Sequence, residues 1–304
     1  MIEVVRPGFL DMVMDLGRPG YRAQGVPEGG AADTRALVLA NRLVGNEDGV
    51  AGLEMLLRGP TLHFPQGGRI ALAGADMQAR CDGDPVPQGH ALEIAPGGEL
   101  ELGSASCGLR AYLAVAGGIE APPLLGSRAT FLPGGFGGWQ GRALQAGDAL
   151  PVGVAGGCRK GRLSFAACDN TLRILPGPQL AGFADAALKL LTASEYKVGM
   201  DANRQGLRLS GPQLTYAGGE LASQAVLPGA IQVPPDGQPI ILGWDGPVTG
   251  GYPVVAAIIA ADLSCLAQLR PGGSLKFAFV TLEQAKTAWR QQQADMDGAI
   301  VWED

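Results

Sequence analysis

The sequence predicts a mainly β protein: two tandem β-barrel domains with a few short helices. Three observations predict it. Short apolar stretches are cut repeatedly by glycine and proline, the two halves echo each other in order, and helical periodicity is confined to a few places.

The strand-like stretches include Arg69-Ile70-Ala71-Leu72-Ala73, Ala111-Tyr112-Leu113-Ala114-Val115-Ala116 and Pro239-Ile240-Ile241-Leu242. Asp-Gly pairs at 82–83 and 236–237 read as hairpin turns. A first helix is expected over 33–44, with Asp33 as its N-cap and Gly45-Asn46 as its stop. Leu180, Phe183, Ala184, Ala187, Leu188 and Leu191 give a second by helical spacing. A third begins at Thr281, whose spacing to Gln284 matches a capping box, and a short fourth follows Asp262.

The duplication rests on several echoes. Leu57 to Phe64, around Gly59-Pro60, resembles Leu209 to Tyr216, around Gly211-Pro212. Gly74-Ala75 then Asp82-Gly83-Asp84-Pro85 is answered by Gly229-Ala230 then Asp236-Gly237-Gln238-Pro239. Pro96-Gly97-Gly98 is answered by Pro271-Gly272-Gly273. The expected domains are 1–166 and 167–304, and units of this size are larger than solenoid repeats.

The composition narrows the function classes. The chain has 304 residues, 46% apolar and only 17% charged, so it has material for two cores and is no disordered chain. A net charge of −6 without a basic run leaves no electrostatic footprint for nucleic acid. The run from Val254 to Ala261 is far short of the ~20 apolar residues of a membrane helix. The opening residues lack the blocks of a signal peptide. The five cysteines are odd in number and widely spaced. Reduced thiols in a cytoplasm are expected.

Familiar catalytic signatures are missing. The two histidines, His63 and His90, are isolated and read as structural. No His/Cys cluster has metal-ligand spacing, so no metal is expected. The segment Gly153 to Lys160 resembles a phosphate loop but lacks Gly-Lys-Ser/Thr. No Met-Lys-Met biotin-attachment motif occurs, so any biotin belongs on a separate carrier.

Several polar, glycine-rich segments are the candidate sites. Asp15-Leu16-Gly17-Arg18-Pro19-Gly20-Tyr21 sets an acid and an arginine three apart around glycine. It reads either as an anion site, using the planar fork of arginine, or as a turn with a surface ion pair. Gly134-Gly135-Phe136-Gly137-Gly138-Trp139-Gln140-Gly141-Arg142 reads as a mobile lid, a partner-docking loop or a plain flexible loop. In the second half lie Asn203-Arg204, Gln232 to Pro239 with Asp236 and Gln238, and Trp244 to Pro253 with Asp245, Thr249, Gly250, Gly251 and Tyr252. Amides and hydroxyls fix a small polar ligand, and an aspartate accepts a proton. Asp15, Asp236, Asp245 and Thr249 are the candidate catalytic groups. Arg18, Tyr21, Asn203, Arg204, Gln232, Gln238, Gly250, Gly251 and Tyr252 are the candidate binding groups, with both arginines as anion anchors.

The same segments carry a family resemblance. Asp15 to Tyr21, Gly25-Val26-Pro27, Leu39 to Asn46, Leu53-Glu54 with Gly59-Pro60, and Arg110 to Ile119 resemble KipA-type proteins of the allophanate hydrolase subunit 2 (biotin-dependent carboxyltransferase) family. So do Leu125 to Thr130, Gly134 to Gly138, Leu175-Pro176-Gly177-Pro178, Asn203-Arg204, Gln232 to Pro239 and Thr249 to Pro253. The resemblance spans nearly the whole chain. It implies cyclophilin-like barrels and a role as the C subunit of an ATP-dependent 5-oxoprolinase. That assembly opens 5-oxo-L-proline to L-glutamate with a KipI-like B subunit and a LamB/YcsF-like A subunit. ATP is then used by the complex, and the twin barrels are expected to turn their glycine-rich loops toward a shared cleft. Two alternatives come with the kinship: a carboxyltransferase subunit of a biotin-dependent urea or amide carboxylase, and a non-enzymatic KipI-binding regulator of a sensor kinase. Met12-Val13-Met14 and Ala202 to Gly206 depart from the family pattern, which has Thr-Ile-Gln or Thr-Val-Gln and Ser-Asn-Arg-Met-Gly there. Both departures remove hydrogen-bonding side chains.

Overall fold

A computed structural model describes residues 1–157, 160–164 and 169–303. The chain is mainly β and divides into two compact units. The first comprises Met1–Arg18, Gly29–Ala166 and Ala294–Asp304; the second comprises Pro19–Glu28 and Ala167–Gln293. The boundary expected at 166/167, and Cys158 and Arg159 of the phosphate-loop lookalike, lie outside the described residues.

In the first unit two sheets, of six and five strands, enclose one core, and Gly161–Leu163 pairs with Ile300–Trp302 in a separate two-stranded sheet. The five-stranded sheet centres on the strands Gly68–Asp76 and Cys107–Val115. Alternation along them sorts the side chains: Ile70, Leu72, Leu113 and Val115 join the inter-sheet core. Their neighbours Ala71, Ala73, Tyr112 and Ala114 face helix α1 (Thr34–Leu43), which brings Leu37, Ala40 and Leu43. Alanine on that face lets the helix seat closely. Asp33 caps α1 as expected, its carboxylate accepting from Ala36 N at 3.0 Å. The hairpin expected at Asp82-Gly83 is present, with both residues at positive φ (50° and 90°) and Cys81 paired to Asp84.

In the second unit seven strands close into a barrel. Thr171–Pro176 completes the ring, antiparallel to Val254–Ile258 and parallel to Ser274–Phe279. Inward residues such as Leu172, Ile174, Tyr196, Ile231, Ile241, Val255 and Phe277 are buried, while Lys197, Arg208 and Lys276 between them point outward. The turn at Asp236-Gly237 lies in the connection between Ala230–Gln232 and Ile240–Leu242, which pair through Ile231 and Ile241.

The second expected helix is shorter than its apolar spacing suggests. Residues Leu180–Gly182 form one 3-10 turn, Phe183 is extended, and α2 runs over Asp185–Ala193. Phe183 leaves the helical path to pack at a tilt against Tyr216, ring centroids 5.1 Å apart. The short helix after Asp262 is α3 (Leu263–Ala267). The helix at Thr281 is α4 (Leu282–Asp297), opened by a reciprocal capping box: Thr281 N donates to Gln284 Oε1 and Gln284 N to Thr281 Oγ1.

The cysteines correct one expectation. Cys81 and Cys107 are free, but Cys265 is disulfide-bonded, so the set is not wholly reduced. No helix among the described residues is long and apolar enough to cross a membrane.

Candidate functional site

The acid and arginine of the first glycine segment are buried. Asp15 accepts from Gly17 N at 2.8 Å and Ser127 Oγ at 2.6 Å through Oδ1, and from Arg128 N at 2.5 Å through Oδ2. Its carboxylate therefore pins the loop at 127–128 to the end of the Asp11–Met14 strand. Arg18 is fully buried, donates to Ala129 O and lies 5.1 Å from the centroid of Phe136. The glycine-rich loop wraps this guanidinium. Gly137 has φ 71°, and a side chain there would collide with Ala129 O and Arg18 Nη2. Glycine serves close approach at this point, and Phe131 packs at a tilt against Phe136, ring centroids 5.2 Å apart.

A second polar cluster in the first unit was missed by sequence reasoning. Glu54 Oε2 accepts from Tyr112 Oη at 2.6 Å and Ala32 N at 2.9 Å, and Arg110 Nε lies 3.6 Å from Glu54 Oε1. Burial, and then the Glu54 charge, push the Tyr112 phenol well above its ordinary pKa. Tyr112 and Glu54 are direct cross-strand partners. That register is the signal, and it becomes readable only once the strands are paired.

In the second unit Arg204 and Asp245 form a buried two-point ion pair, at 2.7 Å (Nε–Oδ2) and 3.0 Å (Nη2–Oδ1). Asn203 closes a local turn, accepting from Gln205 N and donating to Asp201 O. Gln238 braces Gly211, bonding both its N–H and its carbonyl. Thr249–Gly250 pairs with Gln224–Ala225, which a reciprocal amide pair ties to Gln179. Gln232 is buried, with its Nε2 3.4 Å from Tyr252 O and its amide against Gly250. Tyr21 belongs to the second unit and precedes a 3-10 turn, in which Arg22 donates to Val226 O.

The structure gathers three of the candidates, Asp236, Gly251 and Tyr252, around one cleft of about 490 Å³. Gln213, Tyr216 and Glu220 join them, and no lysine or arginine lines it among the described residues. Asp236 Oδ1 accepts from Gln238 N at 3.0 Å. No group of three or more potential metal ligands occurs among the described residues.

Known proteins resemble this chain in sequence and fold. The family description "Carboxyltransferase domain, subdomain A and B" matches residues 24–279. The chain belongs to this carboxyltransferase domain family. Among its relatives, the C subunit of the Escherichia coli K12 5-oxoprolinase is 40% identical over 301 residues, covering 96% of each chain. The Haemophilus influenzae protein of the same name is 34% identical, covering 98% of this chain and 97% of that one. The crystal structure of the K. lactis urea amidolyase superposes with a TM-score of 0.91 at 30% identity, covering 98% of this chain. This carboxyltransferase-family chain spans 20% of that protein's length.

Proposed function

We propose that this chain is the C subunit of an ATP-dependent 5-oxoprolinase, a cytoplasmic assembly that opens 5-oxo-L-proline to L-glutamate with a KipI-like B subunit and a LamB/YcsF-like A subunit. The observation that carries the reading is end-to-end similarity to a protein named as the C subunit of 5-oxoprolinase, at 40% identity over 96% of both chains. In the proposed chemistry the lactam carbonyl oxygen takes the γ-phosphoryl group of ATP. ADP is released, water adds to the activated carbon, and the ring C–N bond breaks with protonation of nitrogen to leave γ-glutamyl phosphate. A second water hydrolyses that acyl phosphate to glutamate and phosphate. ATP is used by the complex. Asp236, Gly251 and Tyr252 are proposed to face the substrate. Asp15, Arg18, Tyr21, Asn203, Arg204, Gln232, Gln238, Asp245, Thr249 and Gly250 are proposed to set the loops that position it. A coupled assay of the three proteins for ATP- and 5-oxo-L-proline-dependent phosphate release tests the proposal, and no release with every partner present overturns it.

The likeness to urea amidolyase favours a second reading, a carboxyltransferase subunit served by biotin on a separate carrier. That version predicts bicarbonate dependence and inhibition by avidin, whereas the oxoprolinase is indifferent to both.

A further inference from the structure

We propose that the cleft of the second unit reads the neutral amide edge of its substrate and leaves a substrate carboxylate outside. This rests on the reading of the chain as a subunit acting on a lactam. Charge is the first argument. Glu220 and Asp236 line the cleft with no cation to offset them among the described residues, so a carboxylate is repelled there.

Hydrogen-bonding groups are the second argument. One oxygen of Asp236 is committed to Gln238 N; the other accepts nothing from the described residues. Gln213 packs on the same turn, its Cβ 3.0 Å from where a Gly237 side chain would begin, and its amide is uncommitted among the described residues. The turn is fixed by Gly237 at φ 74° and by Leu214 N donating to Gly237 O at 2.9 Å. The Asp236 turn thus offers an acceptor and the segment bonded to it, through Gln213, a donor, both lining the same cleft. A lactam holds its N–H and C=O on the same side of a cis amide, so one edge engages both: N–H to Asp236, carbonyl to the Gln213 amide. Tyr216, Tyr252 and the prolines beside them supply the apolar wall for the ring.

Titration of the full-length chain followed by ligand-observed NMR tests this, with 2-pyrrolidinone, 1-methyl-2-pyrrolidinone and 5-oxo-L-proline as probes. The expected result is about tenfold tighter binding of 2-pyrrolidinone than of its N-methyl derivative, as a charge-assisted hydrogen bond requires. In Asp236→Ala the two should bind alike. At low salt 5-oxo-L-proline should bind no better than 2-pyrrolidinone and should improve as salt screens the acids. Asp236→Asn, which keeps the acceptor for Gln238 N, should shift the preference toward 5-oxo-L-proline. Equal binding of the two neutral lactams to the native chain, or 5-oxo-L-proline binding that is tightest and weakens with salt, overturns the proposal. A reconstituted complex that turns over 5-oxo-L-proline while the chain fails this comparison retires the cleft assignment alone. Absence of turnover retires the subunit reading beneath it.

Discussion

The guanidinium of Arg204 grips the carboxylate of Asp245 at two points inside the second unit, and both residues are buried. Asp245 N also donates to Arg204 O at 2.9 Å, so the same residues join the two loops by main chain and side chain. Removing one partner takes the two-point pairing from a buried charge. Asp245→Ala is expected to cost about 3–5 kcal/mol. Replacing both residues by apolar ones of similar volume should cost much less. Urea unfolding followed by tryptophan fluorescence, with Trp244 beside the pair, checks both.

Asp15 links three donors across more than a hundred residues of sequence. Asp15→Ala should destabilise the first unit by about 2–4 kcal/mol, and Ser127→Ala by about 1 kcal/mol, both read from urea unfolding. The double variant should cost less than the sum, because one hydrogen bond is counted in both single changes.

Burial raises the pKa of Asp11 to about 6, against the opposing pull of its bond from Gly8 N and the charge of Arg58. The folded carboxyl therefore holds its proton more tightly than the unfolded one. Stability is then greatest below pH 4 for this group and falls as pH rises from about 4 through 6. The loss is up to about 3 kcal/mol. Thermal melts of the native chain and of Asp11→Asn across this window should show the slope diminish in the variant.

Gly137→Ala introduces a Cβ 2.2 Å from Ala129 O at a φ of 71°. A loss of about 2 kcal/mol or more is expected. An unchanged melting temperature would show that the loop is held more loosely than its packing on Arg18 implies.

Local signals were legible in the sequence. Asp33, the Thr281–Gln284 box and Asp82-Gly83 act within four residues, and the structure uses each as read. The echo between halves also has a structural counterpart. Gly97 and Gly272 have φ 81° and 79°, and the next glycine in each case donates to the residue before the proline at 2.9 Å. What stayed hidden depends on distant partners. Arg18 allowed a surface reading because the Ala129 carbonyl and the Phe136 ring that bury it lie over a hundred residues away. Phe183 fits a helical stripe, yet Tyr216 draws it out of the helix. The Cys265 disulfide was unreadable from an odd, widely spaced cysteine set. Of the site candidates, Asp236, Gly251 and Tyr252 come together because glycine and proline turns deliver them to one cleft, whereas Gln213 stood only as part of the Leu209 to Tyr216 echo and Glu220 carried no motif.

The most direct measurement of the central claim is an omission experiment. KipI-like and LamB/YcsF-like proteins are incubated with ATP and 5-oxo-L-proline, with and without this chain, and glutamate is quantified. The account predicts glutamate only when the chain is present, one per ATP hydrolysed and insensitive to avidin. Equal glutamate without the chain, or none with it, would contradict the account.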